Sequence, residues 1–141
     1  MPPADPLRLF DRHAVRLHRA RAARGPETAD FLVRESAERL ADRLTDVARS
    51  FPRALDLGCR DGLLARTLVG RGGIETLVHA DATLAFARLA PTPALVAEAE
   101  ALPFAPESFD LVLSNLDLHW ANDLPGALQA FTAASNRVCC S

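Results

Sequence analysis

Lysine and tyrosine are absent from this chain of 141 residues, tryptophan and methionine occur once each, and there are only three cysteines. Because lysine is missing, all 16 basic residues are arginine. A bias this uniform belongs to coding composition and marks no site, although the two side chains bind anions differently. Cys59, Cys139 and Cys140 are odd in number and follow neither a CxxC nor a Cys/His pattern. A disulfide framework is thereby excluded, and nothing points to a metal. Adjacent cysteines bridge only with strain, so Cys139 and Cys140 read as a reduced pair. No apolar run approaches the roughly 20 residues that span a bilayer, and the start carries no apolar signal-peptide core. A cytoplasmic setting without an integral membrane segment is the expectation. The net charge of -2 leaves no electrostatic footprint for nucleic acid.

What is present describes one globular domain. Hydrophobic residues make up 49% and charged residues 24%, enough apolar surface for a core and too little net charge for disorder. The charges are unevenly placed. Arg8, Arg12, Arg16, Arg19, Arg21 and Arg24 face only Asp11 as counter-charge within residues 8–24. We read this run as a helix with a solvated basic face, packed on the domain through Leu9 and Val15. An Arg-rich, acid-poor start is also compatible with a mitochondrial transit peptide, or with a basic face for an acidic partner or membrane surface.

Residues 1–6 are Pro-rich and expected to be irregular. A helix is predicted over 7–23, broken at Gly25-Pro26. A second is predicted over 27–49, with Phe31, Leu32, Ala37, Leu40, Leu44 and Val47 at helical spacing. The pattern then changes. Short strands are predicted at 53–57, 76–80, 94–97 and 109–113, with helices at 62–71, 83–89 and 123–134 between and after them. Alternating strands and helices imply βαβ units and a parallel sheet. The predicted architecture is α/β. It has a Rossmann-like parallel sheet of about four strands in the order 3-2-1-4, helices on both faces, and an N-terminal helical extension. Residues 1–50 form the extension and 51–141 part of a nucleotide-binding domain. Ligands of such sheets bind beyond the carboxyl ends of the strands.

Four constellations sit at those ends. In Leu55-Asp56-Leu57-Gly58-Cys59-Arg60-Asp61-Gly62, Gly58 lets the backbone turn sharply toward a ligand, and Gly62 allows close helix–strand packing. The following helix aims its amides at the ligand; a plain tight turn has the same form. Asp81 ends the next strand, roughly 20 residues on, where an acid accepts hydrogen bonds from both ribose hydroxyls. Asp also caps helices well, but beside the glycine turn the ribose role takes precedence. In Glu98-Ala99-Glu100-Ala101-Leu102-Pro103-Phe104, the acid can reach an adenine amino group, the Ala99 backbone can address the ring, and Leu102 and Phe104 supply apolar surface. The alternative is a connector with two solvated glutamates. Past the fourth strand, Asn115 is placed for the amino-acid end of a cofactor or for a substrate. His119 titrates near neutrality and suits a general base, although a lone His beside Trp120 is more often packing. No catalytic residue is assigned.

Jointly these motifs resemble the class I S-adenosylmethionine-dependent methyltransferases, over about residues 7–130. LDLGC, the strand-ending Asp81, AEALPF, SFDLVLSN and LHW carry the resemblance. Within the class the pattern looks like the branch of the biotin-pathway malonyl-carrier methyltransferase. It is closer still to that of the mitochondrial complex I assembly factor 5, whose FDR-type opening is similar to Leu9-Phe10-Asp11-Arg12. The resemblance implies S-adenosylmethionine as cofactor, with Asp56, Gly58, Gly62, Asp81, Glu98, Ala99 and Asn115 around it, and methyl transfer to an unknown acceptor. It equally implies an assembly-factor role on a protein client, by arginine modification or as a scaffold. Two departures stand out. Arg60 fills a position where the family turn carries glycine, and Asp61 adds negative charge beside it. The family fold also has three strands after the fourth, whereas this chain ends at Ser141. A truncated, inactive fragment is therefore a further alternative, and strand four is expected to be an exposed hydrophobic edge.

Overall fold

The structure is a computed structural model, and it describes residues 8–24, 30–135 and 137–140. The Pro-rich start and the Gly25-Pro26 break lie outside the described residues, as do the side chains of Cys139 and Cys140. Helix α1 runs Arg12–Ala22 and α2 Asp30–Thr45. The alternating part follows: β1 Arg53–Leu57, α3 Leu63–Thr67, β2 Thr76–Asp81, α4 Leu84–Ala87, β3 Ala94–Val96 and β4 Leu111–Ser114. A 3-10 turn at Leu118–Trp120, α5 Leu124–Ala134 and β5 Val138–Cys140 follow.

All strand pairings are parallel, and the sheet order is β3-β2-β1-β4-β5. The four expected strands keep the expected order. The fifth was not legible in sequence. It forms where Val138 pairs with Val112 and Cys140 with Ser114, so β4 is an interior strand. That corrects the expectation of β4 as an exposed edge; the edges are β3 and β5.

Alternation along the strands builds two cores. Ala54, Leu111 and Leu113 point one way and meet Ala37, Leu40, Ala41 and Leu44 of α2 with Leu64 of α3. Leu55, Leu57 and Val112 point the other way and meet Ala127 and Phe131 of α5. Burial on both faces is why β4 opens as a continuous apolar run and β1 is apolar from Ala54 to Leu57 apart from Asp56. The stripe on α2 differs from the expected one. Val33, Ala37, Leu40, Ala41 and Leu44 are buried, whereas Phe31 and Leu32 are exposed because they lie off this face. Local signals set the helix ends. Asp11 caps α1 by accepting from the His13 and Ala14 amides, and Asp123 caps α5 with Pro125 in its first turn. Helices α3 and α4 are shorter than predicted. Gly70, Gly72 and Gly73 take positive φ after α3, and Pro91 and Pro93 follow α4 closely.

Because α2 supplies part of the first core, it is not an appendage on the sheet. Leu40 is wholly buried, so Leu40→Ala should cost about 2–5 kcal/mol of unfolding free energy. Urea denaturation measures this, and a loss below about 1 kcal/mol would mean that α2 packs only loosely.

Candidate functional site

The ends of β1, β2 and β4 and the segment after β3 converge on one edge of the sheet. The turn after β1 is tied to β2, since the Gly58 and Cys59 amides donate to the Ala80 carbonyl at 2.8 and 3.0 Å. Gly58 has φ +70, and a Cβ there would lie 2.4 Å from Asp117 Cγ. Gly62 has φ +84 and opens α3; a Cβ there would lie 2.4 Å from the Pro91 ring. Both positions therefore require glycine twice over, for backbone conformation and for space. Arg60 also has positive φ, at +50, where the family turn's glycine would be unstrained. Its side chain swings over the Phe86 ring, with the guanidinium carbon 5.9 Å from the ring centre. Asp61 pairs at 3.0 Å with Arg66, so its charge is answered within α3.

Asp81 is fully buried at the end of β2. Its Oδ1 accepts from the Thr83 amide at 2.9 Å, the Thr83 hydroxyl at 3.0 Å and Arg19 Nε at 3.3 Å. Its Oδ2 accepts from the Arg60 amide at 3.1 Å and from the Arg19 terminal nitrogen. Asp81 thus braces the entry to α4 through Thr83, which is itself the N-cap residue of that helix. The second partner of Arg19 is Asp117, at 2.8 Å. Burial and the neighbouring Asp81 raise the Asp117 pKa, against the pull of Arg19. Sequence reasoning gave Asp117 no role. The available signal was its position just beyond β4, facing the glycine turn.

Asp56 is buried inside β1, and neither carboxylate oxygen has a hydrogen-bond partner among the described residues. Burial, reinforced by Asp81 and Asp117, pushes its pKa up to about 8. Glu98 and Glu100 are not the solvated pair of the alternative reading. Glu98 binds Arg16 Nε at 2.9 Å and Arg12 at 3.6 Å. Glu100 binds Arg12 at 2.5 Å and accepts the Asn122 and Asp123 amides that lead into α5. Ala99, Leu102 and Phe104 pack against the second core. Asn115 lies at the same end of the sheet, with its amide donating to the Val33 carbonyl of α2 at 3.0 Å. His119 is exposed and tilted against Trp120, their rings 4.9 Å apart. Partial desolvation of its ring is the leading influence and leaves its pKa lowered.

The basic run also departs from expectation. Leu9 is 79% exposed, whereas Arg19 is only 7% exposed. Helix α1 docks through its arginines because the acids beneath it need counter-charge, and its apolar residues contribute little. Among the described residues no cluster of His, Cys, Asp and Glu is placed to hold a metal ion.

Sheet order, glycine turn and strand-end acids define a Rossmann-like nucleotide-binding domain. The methyltransferase-domain family matches residues 55–134, and the chain belongs to that family. It is 44% identical over 130 residues to the human mitochondrial arginine-hydroxylase NDUFAF5, covering 87% of this chain and 37% of that protein. Over 137 residues it is 38% identical to a malonyl-acyl-carrier-protein O-methyltransferase of Halorhodospira halophila, covering 92% of this chain and 46% of that one. The chain thus spans less than half the length of these relatives. Among solved structures, an S-adenosylmethionine-dependent methyltransferase from Mesorhizobium loti superposes with a TM-score of 0.59 at 25% identity. That match covers 73% of this chain and 50% of the other. S-adenosylmethionine is the cofactor of this domain type, and the site fits it. Gly58 keeps the turn free of a side chain, and the buried carboxyl groups of Asp56 and Asp81 supply oxygen acceptors at the strand ends.

The unpartnered Asp56 makes stability depend on pH. Its pKa rises from about 4 in the unfolded chain to about 8 in the fold. The folded state therefore holds the extra proton across that window, and stability falls as pH rises through it. Asp56→Asn removes the ionisation. The variant should melt above wild type at pH 9 and lose that advantage at pH 5; parallel melting profiles would contradict the assignment.

Proposed function

We propose that this chain is the cofactor-binding part of an S-adenosylmethionine-dependent transferase. In this reading Gly58 and Gly62 shape the cofactor turn, and Asp81 accepts the ribose hydroxyls. Glu98 and the Ala99 backbone address the adenine. Asp56 faces the cationic end of the cofactor, and Asn115 braces the exit of β4 against α2. Within residues 1–50, α2 completes the first core of the domain and α1 covers the rim of the site. The observation that carries the reading is the buried Asp81 beside a turn whose Gly58 has no space for a side chain.

Bound S-adenosylmethionine supplies an electrophilic methyl group on a positively charged sulfur. A site of this kind has mainly to position the nucleophile and exclude water. No side chain need form a covalent bond in such a transfer. The acceptor is a group brought in from outside the chain.

A second reading is favoured by the likeness to the arginine-hydroxylases and by one feature of the site. It already accommodates a guanidinium, with Arg19 paired to Asp117 at 2.8 Å and lying 5.4 Å from the Phe86 ring centre. In this reading a protein client presents an arginine for modification, and the domain assists assembly of a respiratory complex. The mitochondrial relatives support a mitochondrial setting. Among the described residues no helix is long and apolar enough to cross a membrane.

Calorimetric titration of the chain with S-adenosylmethionine, with Asp81→Ala alongside, tests the cofactor site. The reading predicts saturable binding that weakens at least about 100-fold in the variant, the scale for removing a buried charged hydrogen-bond acceptor. Binding unchanged in a folded Asp81→Ala chain would remove Asp81 from the site.

A further inference from the structure

Three arginines on one face of α1 engage the acids at the mouth of the site. Arg12, Arg16 and Arg19 are spaced four and three residues apart, which aligns them along one stripe of a helix. Arg12 reaches Glu98 and Glu100, Arg16 reaches Glu98, and Arg19 reaches Asp81 and Asp117. The acids proposed for the adenine and the ribose are therefore both held from within the chain.

Occupancy at Asp81 is the decisive point. A carboxylate offers about four lone-pair sites. Asp81 accepts from Arg19 Nε, the Arg19 terminal nitrogen, the Arg60 amide, the Thr83 amide and the Thr83 hydroxyl. It has no acceptor capacity left for a ribose diol. The Arg60 and Thr83 donors belong to the turns that build the site. Arg19 arrives from a separate helix and is the donor that can leave. A tether exists for that movement. The Phe10 amide and carbonyl bond the Asn122 side chain at 2.8 and 3.1 Å, and the Phe10 ring meets Trp120 edge-on at 5.5 Å. The N-terminal end of α1 is thus fixed to the segment beyond β4, and its Arg19 end rests on charge.

We propose that α1 is a self-occupying lid, and that Arg19 must leave Asp81 before that carboxylate can accept the ribose of the cofactor. This rests on the cofactor reading above. It adds that closure of α1 and cofactor binding compete for one carboxylate. By linkage, whatever weakens the arginine pairing strengthens cofactor binding, and binding in turn loosens α1. The apparent affinity of the intact chain is lowered by the fraction of molecules in which α1 is docked.

S-adenosylhomocysteine serves as the probe, with affinity read by calorimetry and helix release by trypsin and mass spectrometry. Arg19→Gln should lower its Kd about 5- to 10-fold, at the low end of measured site-to-site couplings. Arg12→Gln/Arg16→Gln leaves the Asp81 pairing intact, so it reports even where Arg19→Gln does not fold. It should lower Kd about 2-fold, because it loosens the lid without freeing Asp81. In the wild-type chain the ligand should speed tryptic cleavage after Arg16 and Arg21. Weaker binding in the folded arginine variants, or ligand protection of α1 from trypsin, would overturn the competition and leave the cofactor reading standing. No binding by wild type or either variant would overturn both.

Discussion

A carboxylate taken wholly out of water has to be compensated where it stands, because an isolated buried charge costs far more than a fold of this size can absorb. Asp81 is such a group, and its donors come from three parts of the chain: α1 through Arg19, the glycine turn through the Arg60 amide, and the head of α4 through Thr83. Each of these elements is weak alone. Helix α4 has four residues, the turn places Arg60 at positive φ, and α1 buries little apolar surface. Their common acceptor sets their relative positions. The cores on either face of the sheet hold β1, β2 and β4 rigid, and Asp81 passes that rigidity on to the rim.

The rim is consequently rich in charge. Asp56, Asp81 and Asp117 surround the glycine turn, and one cation, Arg19, serves two of them. Asp56 is left without a partner and keeps its proton near neutrality. Such an arrangement suits a ligand that brings both positive charge and hydroxyl donors. It also explains why α1 lies where it does: the chain's own arginines answer these acids.

The interior of the fold was legible in the sequence and its rim only in part. Strand β1 matched its expected span, and β2, β3 and β4 fell within two residues of theirs; β1 and β2 are punctuated by Gly58 and Asp81, and β4 is buried throughout. Helix α3 closed early because its residues after Thr67 turn through glycines. The arginines of residues 8–24 read as a solvated face because periodicity registers hydrophobicity, and the partners of Arg12, Arg16 and Arg19 lie far along the chain, from Asp81, 62 positions beyond Arg19, to Asp117. Asp117 was missed for the same reason. Strand β5 was missed because Val138, Cys139 and Cys140 are too few to carry an alternating signal. Asp56, Gly58, Gly62, Asp81, Glu98 and Ala99 came from motif spacing, which fixes neighbours along the chain but not which side chain fills the space between them.

Hydrogen–deuterium exchange on the Asp81→Asn chain tests most directly whether this carboxylate organises the rim. The account predicts faster exchange in the 58–62 turn, at the head of α4 and along α1, with α2, β1 and β4 protected as in wild type. Unchanged protection of α1 in the folded variant would contradict it, because α1 would then be held by something other than the buried charge.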